Sequence, residues 1–402
     1  MKVSLISFIT PASENISGTS ALPYHLMAER NRDVDVTVYS FNVNKLSNEK
    51  ISEVEKELGV KIYPIPLPKW YVWIFKFHLL FLRVFMIHPF VNYITLPQRC
   101  VDEIKAQHPD LVWVMGEELS RIVKQFPEQQ RIHLGPDTES LFYYRMMGQR
   151  FIMNNTIGYW KYALMYRKYA RMEQEFPADE NYTYFAVGEE DVKHLQQLNP
   201  MVKTKFLRHP HYELNIKNIK QKKGFHQPKI KLLIAGQYNL YMKQSADELM
   251  ALLNENTNES VKFLKDHYTI MFLGKDWDKH IEVLKVTGWE VEHIKFAPNY
   301  IEEICKHDIQ ISPIAIGTGT KGKVLDALAN GLLVIGTPYA MENIAVETGI
   351  SCIEYQHPDE VIKVLMDIPY NKEKYENMAM AGRDAVLKNH DRELISRELF
   401  SL

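Results

Sequence analysis

The sequence predicts an α/β protein built from two doubly wound parallel-sheet domains, and three observations carry that expectation. Short apolar, β-rich runs alternate with amphipathic helical stretches along nearly the whole chain. The alternation stops between Tyr212 and Lys231 and then starts again. At 402 residues the chain also exceeds one ordinary core and suits two domains of roughly 200 residues each.

Element by element, the first half reads as strands at 2–8, 35–41, 60–65, 111–115, 131–134, 182–187 and 203–207. Helices fall between them at 20–30, 51–58, 97–106, 118–126, 156–175 and 189–198. The run at 111–115, Leu-Val-Trp-Val-Met, is apolar throughout, as a central parallel strand buried on both faces must be. Met1–Ile9 is too short for a leader peptide and reads as the first strand. Residues 216–224 are basic, lack core periodicity and end in glycine, which marks a linker. The second half gives strands at 231–235, 269–273, 291–296, 309–312, 332–335 and 350–354, with helices between and after them. The expected organisation is therefore a Rossmann-like domain at 1–214, a linker at 215–228, a second Rossmann-like domain at 229–385 and a terminal helix at 386–402 packing back on the first. A ligand cleft is expected between the two domains.

Composition narrows the function classes. An apolar fraction of 46% and a charged fraction of 24% are those of a globular chain. A net charge of −2 argues against a nucleic-acid backbone binder. Cys100, Cys305 and Cys352 are far apart, share no metal-ligand spacing, and read as reduced thiols of a cytoplasmic protein. The histidines of His209-Pro210-His211 lack the neighbouring ligands a metal site needs. One segment stands out, from Lys69 to Ile94. Lys69, Lys76 and Arg83 recur every seven residues among tryptophans, phenylalanines and leucines, which on a continuous helix places them on one face. Two readings stay open: an in-plane helix peripheral to a membrane, and a core helix with solvated charges. The charges exclude a spanning helix.

The most informative stretch is Gly317-Thr318-Gly319-Thr320-Lys321-Gly322-Lys323-Val324-Leu325-Asp326, set between the strand at 309–312 and the strand at 332–335. Glycines let backbone N–H groups approach an anion, a helix N-terminus carries partial positive charge, and lysines complete the neutralisation. Asp326, one turn into the helix, is placed to meet a sugar hydroxyl. The segment reads as a pocket for a phosphorylated sugar.

From Ile309 to about Ile353 the chain resembles the GT-B glycosyltransferases, specifically the large retaining family of bacterial polysaccharide transferases (glycosyltransferase family 4-like). The resemblance rests on Pro313 at a strand end, the Gly317–Lys321 loop, the run from Lys323 to Thr337, and Ala340-Met341-Glu342-Asn343. It implies a GT-B fold and a nucleotide-diphosphate sugar as donor, with Asp326 on the ribose. Gly317, Thr318, Gly319, Thr320, Lys321, Gly322, Lys323 and Glu342 would surround the donor. Gly236 and Lys243 correspond loosely to the family's phosphate-binding positions, and Gly18 to its first-domain glycine turn. Thr318 stands where many relatives carry a glutamate, and the family's arginine after the first strand of the second domain is missing. His133 and Asp137, at a strand end of the first domain, are the candidates for orienting an acceptor hydroxyl. No metal or other cofactor is implied. The resemblance further implies transfer with retention to a glycan or polyprenyl-linked acceptor, in polysaccharide or lipopolysaccharide synthesis at the cytoplasmic side of a membrane. Two alternatives remain: a nucleotide-sugar epimerase of the same fold, and a non-catalytic glycan-assembly partner.

Overall fold

Seven short runs form one parallel sheet in the computed structural model: β1 (Lys2–Ser7), β2 (Asp35–Ser40), β3 (Lys61–Pro64), β4 (Leu111–Met115), β5 (Arg131–Gly135), β6 (Tyr182–Ala186) and β7 (Thr204–Phe206). Their order is β3-β2-β1-β4-β5-β6-β7. Leu5 lies between Val38 and Trp113 in a parallel register. Six further strands make a second parallel sheet: β8 (Ile230–Ala235), β9 (Tyr268–Leu273), β10 (Val291–Ile294), β11 (Ile309–Ser312), β12 (Leu333–Gly336) and β13 (Ile353–Glu354). Their order is β10-β9-β8-β11-β12-β13. The sheets belong to two units, Met1–Pro210 with Arg392–Leu402, and His211–Asp391. Residues 1–13, 18–214, 224–255 and 257–401 are described; most of the linker expected at 215–228 lies outside them.

Both sheets are buried on both faces, because side chains alternate along a strand and helices cover each side. In the first unit Leu111, Trp113 and Met115 of β4 join one core, and Val112 and Val114 the other. In the second, Leu232 and Ile234 of β8 face one layer, and Leu233 and Ala235 the opposite one. The terminal helix Arg392–Leu399 belongs to the first unit. Ile395, Leu399 and Phe400 enter its core, Ser396 Oγ donates to the Leu26 carbonyl, and Arg392 pairs with Glu29 at 2.9 Å.

The 69–94 segment departs from the continuous helix that the seven-residue charge spacing assumes. An α-helix covers only Lys69–Lys76. His78 then takes a left-handed φ of 54°, and Leu79–Phe85 is a 3-10 helix, so Arg83 leaves the face shared by Lys69 and Lys76. Among the described residues no helix is long and apolar enough to cross a membrane. Among the described residues, two nine-residue helices go beyond the expected elements, Glu139–Met147 and Glu259–His267, besides the single turns Arg150–Met153 and Pro338–Met341. The first is crowded with apolar and aromatic residues on every side and shows no stripe. The second is nine residues long, too short for periodicity to register.

Candidate functional site

In the second unit β8 and β11 are neighbours whose connections leave in opposite directions, β8 toward β9 and β11 toward β12. In open α/β sheets such a switch point is where ligands bind, beyond the carboxyl ends of the strands. The loops there are joined through backbone: the Tyr241 carbonyl accepts from the amides of Ala315 at 2.7 Å and Ile316 at 3.2 Å. The chain past β8 thus rests against the glycine loop past β11. Gly236 ends β8 and packs against Gly274 after β9. A Cβ on Gly274 would lie 2.1 Å from the Gly236 carbonyl oxygen, so only glycine permits that approach. Trp277 Nε1 donates to the same oxygen at 2.8 Å.

The glycine loop is fixed by its own polar groups. Gly319 has φ 60°, the left-handed region that glycine enters without strain. Asn343 Nδ2 donates to the Gly319 carbonyl at 2.8 Å, so the run containing Glu342 comes up beside the loop. Lys321 folds back, its ammonium donating to the carbonyls of Thr318 at 2.6 Å and Gly319 at 3.2 Å, with its stem against Gly317. Thr318 is buried, while Thr320 and Glu342 are half-buried. Helix Gly322–Ala329 then begins at Lys321 with no side-chain cap among the described residues. An uncapped first turn leaves amides without intrahelical partners and a partial positive charge.

Lys323 lies in that first turn and Asp326 one turn further on. Lys323 is an exposed residue whose ammonium lies 5.7 Å from the centre of the Tyr300 ring; partial desolvation there lowers its pKa although Asp326 pulls the other way. Asp326 is 1% exposed. Its charge bears on the buried Tyr212 and on the enclosed hydroxyl of the half-buried Tyr300, both pushed well above the ordinary phenol value, chiefly by desolvation. The Tyr300 hydroxyl has no hydrogen-bond partner among the described residues. Neither tyrosine shows in the sequence as a site residue, since each lies outside the glycine–lysine run and meets Asp326 only through the fold.

Lys243 is committed elsewhere. Its ammonium donates to the Tyr238 hydroxyl at 2.9 Å and to Asp247 Oδ2 at 3.1 Å, and those two bonds raise its pKa. His280 Nε2 lies 3.1 Å from the other oxygen of the same carboxylate. Its ammonium is thus turned to Tyr238 and Asp247, and the chain past β8 meets the glycine loop through the backbone link at Tyr241.

In the first unit, Gly18 opens helix Gly18–Ala28, and residues 14–17 before it lie outside those described. His133 lies inside β5, fully buried, where the sequence placed it at an accessible strand end. Its Nε2 is 2.9 Å from the Gly116 carbonyl, so that nitrogen carries the proton, and Nδ1 accepts from the Tyr182 hydroxyl at 2.9 Å. Burial depresses its pKa to about 4, so the ring is neutral. Asp137, half-buried, sits in the loop past β5.

Beside that loop is a cluster the sequence does not reveal. The N-terminus of helix Glu139–Met147 meets carboxylates from three other elements. Thr138 N donates to Asp191 at 2.7 Å, Glu139 N to Glu117 at 3.0 Å, and Ser140 N to Glu173 at 3.0 Å. Ser140 Oγ donates to Glu173 as well and meets His194 Nε2 at 2.7 Å. Glu117 and Glu173 are buried against each other. Burial raises Glu173 to about 7, Glu139 to about 8, and Glu117 well above the usual carboxylate range. Such a pair holds one proton between two carboxyl groups.

No family model matches the chain, and no curated protein matches it in sequence. Solved structures do match in shape. HepE of Anabaena, in complex with UDP-glucose, aligns over 100% of this chain and 100% of its own, at 12% identity and a TM-score of 0.65. The sucrose-phosphate synthase of Thermosynechococcus elongatus aligns over 100% and 97%, at 11% identity and a TM-score of 0.64. WaaG, a glycosyltransferase involved in lipopolysaccharide biosynthesis, aligns over 99% and 98%, at 13% identity and a TM-score of 0.56. The chain has the GT-B fold. At these identities the likeness establishes the GT-B architecture, two parallel-sheet units of seven and six strands, and nothing finer about substrate.

Proposed function

We propose that the chain transfers a glycosyl unit from a nucleotide-diphosphate sugar to a hydroxyl of a glycan or polyprenyl-linked acceptor, with retention. The observation that carries this reading is the uncapped N-terminus of helix Gly322–Ala329 at the β8/β11 switch point, flanked by Lys321, Lys323 and the left-handed Gly319. That end is built for an anion. HepE, of the same fold, is seen with UDP-glucose and with UDP, which favours a uridine nucleotide as donor here.

In the reaction the bond from the sugar's anomeric carbon to the diphosphate oxygen breaks. Positive charge develops on the sugar and negative charge on the leaving diphosphate. The amides from Gly319 to Gly322 and the lysine ammoniums stabilise the departing diphosphate, without a metal in this proposal. Lys321 exchanges its two loop carbonyls for phosphate oxygens. The acceptor oxygen attacks from the same face, and the donor phosphate takes its proton. Asp137 orients the acceptor hydroxyl, and the neutral His133 fixes the backbone at Gly116 nearby. Lys243, held by Asp247, stays outside this machinery. The work is placed at the cytoplasmic side of a membrane, reached by peripheral contact through 69–94, in polysaccharide or lipopolysaccharide synthesis.

For Asp326 a second reading is favoured by its burial. Its carboxylate fixes the Tyr212–Tyr300 surroundings of the helix rather than touching a ribose. Calorimetry with UDP and GDP tests both. Lys323→Ala is expected to weaken nucleotide binding about tenfold. Asp326→Asn weakens it equally, with an unchanged melting temperature, if the carboxylate holds the ribose; lost stability with retained affinity supports the second reading. No binding to the unaltered protein overturns the transferase.

A further inference from the structure

Residues 342–347 of the second unit form neither helix nor strand, and Asn343 among them takes a left-handed φ of 68°. A loop of that kind has no ladder of backbone bonds to place it. It takes its position from buried side chains and from hydrogen bonds to them. Ile344 supplies the first, buried in the core layer that also holds Val324 and Leu328 of helix Gly322–Ala329. His390 supplies the second, its Nε2 accepting from the amide of Ala345 at 3.0 Å. A backbone N–H can only donate, so that ring nitrogen presents its lone pair. Two residues back from Ala345, Asn343 Nδ2 donates to the Gly319 carbonyl at 2.8 Å.

The imidazole stands on a rigid support. His390 is fully buried at the end of helix Lys372–Asn389, its own amide donating to the Val386 carbonyl at 2.8 Å. Gly382 lets that helix lie close. A Cβ there would be 2.4 Å from the Ser351 carbonyl oxygen and 3.0 Å from Leu328 Cδ2, so the support is packed directly on helix Gly322–Ala329. The backbone of His390 leads to the far end of the same helix. Its carbonyl accepts from the amide of His211 at 2.9 Å, and two residues on, the Glu213 carbonyl accepts from Asn330 Nδ2 at 3.1 Å. Asn330 is the residue on which helix Gly322–Ala329 ends.

Packing alone would be served by a phenylalanine at 390. A buried imidazole costs desolvation that only its hydrogen bonds offset, so the polar ring points to the work of its acceptor nitrogen. That nitrogen fixes Ala345, and Asn343 beside it keeps the Gly319 carbonyl engaged. A carbonyl released from Asn343 is free to turn toward an anion and repel it.

We infer that His390 is a positioning residue for the glycine loop, acting through Ala345 and Asn343 without touching the ligand. The inference deepens the proposed donor site, and rests on that reading for the nucleotide though not for the placement of the loop.

Hydrogen-exchange mass spectrometry reads the loop, and calorimetry with UDP reads the site. His390→Phe keeps a ring and removes the acceptor, whereas His390→Gln returns an acceptor at about the reach of Nε2. In the Phe variant, exchange over 317–322 and 342–347 is expected to quicken about tenfold and UDP affinity to fall about tenfold. The Gln variant stays within about threefold of the parent in both. Asn343→Gly keeps the left-handed φ while deleting the amide, and matches the Phe variant. Combining His390→Phe with Asn343→Gly costs no more than either alone, because both break one chain of bonds. Phe and Gln variants that behave alike overturn the inference, since His390 would then only fill space or cap its helix. Losses that multiply in the double variant overturn it too. Circular dichroism and thermal melts check folding. If the Phe variant does not fold, His390→Asn, whose amide stops short of Ala345, takes its place with the same expectations. Exchange needs no nucleotide, which keeps the two proposals apart. A loop that loosens in the Phe variant of a parent that binds no UDP retains the positioning role and rejects the transferase. An unchanged loop rejects the positioning role whether or not UDP binds.

Discussion

Each unit places a helix N-terminus at the carboxyl end of its parallel sheet, and the two ends are finished in opposite ways. Helix Glu139–Met147 follows β5, and its leading amides are taken up by Asp191, Glu117 and Glu173. Helix Gly322–Ala329 follows β11, has no cap among the described residues, and is flanked by lysines. The same dipole attracts negative charge at both. In the first unit the protein supplies that charge and buries it, so the end is sealed and structural. In the second it supplies glycines and cations, and in the proposed function the negative charge comes from a ligand. What separates a binding end from a structural one is who provides the anion.

The strongest way to break this comparison is to seal the second end as the first is sealed. Lys321 already has the extended backbone of an N-cap residue, φ −83° and ψ 92°, and aspartate is among the preferred residues there. Lys321→Asp removes a cation and adds a carboxylate facing the leading amides. UDP affinity is expected to fall about a hundredfold or more, while the helix gains about 0.5–1 kcal/mol. Calorimetry and a thermal melt read the two effects separately. Affinity within threefold of the parent would show that the helix end is not the phosphate site.

A smaller effect sharpens the other side. Burial raises the folded-state pKa of Glu117, Glu173 and Glu139 above the unfolded value near 4.5. Their stabilising contribution is therefore complete below that value and is lost as pH rises through about 7 to 8. The buried His133, His209 and His307 act in the opposite sense. Their depressed values, about 4, mean that stability is lost as pH falls below the ordinary histidine range. Comparing parent with variant isolates the carboxyl groups. In Glu117→Gln the amide oxygen still accepts from Glu139 N, and the amide N–H replaces the proton shared with Glu173. Denaturant melts at pH 5.5 and pH 8 should then show a decline smaller than the parent's by roughly 1–2 kcal/mol. An unchanged decline would mean that Glu117 is already ionised in the folded chain.

The two ends were not equally legible in the sequence. Gly317–Asp326 is contiguous, so the chemistry of the open end is written in one run. The sealed end draws Glu117, Glu139, Glu173 and Asp191 from four elements spread over 75 residues, and only strand order brings them together. The alternation of apolar runs marked twelve of the thirteen strands almost to the residue. It overran β13, which is two residues long, because Ile350 and Cys352 are apolar without being paired in the strand. The seven-residue charge spacing at 69–83 misled for a definite reason: spacing reports a face only where the backbone stays helical, and His78 ends the helix. His133 was misplaced because a polar residue near a strand end looks accessible until Tyr182 and the Gly116 carbonyl are seen closing over both of its nitrogens.

The smallest expected effect concerns how far the open end extends. Lys243 lies one loop away, past β8, and its ammonium is held by Tyr238 and Asp247. The pair with Asp247 is partly exposed and spaced i, i+4, so its net worth is about 0.5 kcal/mol. Lys243→Ala should cost little stability, since Asp247 keeps His280 at 3.1 Å, and should change UDP affinity less than about threefold. A loss beyond tenfold would mean that the ammonium leaves Asp247 when nucleotide binds. The Tyr241 carbonyl, which already ties the β8 loop to the amides of Ala315 and Ile316, would then be the hinge on which Lys243 joins Lys321 and Lys323.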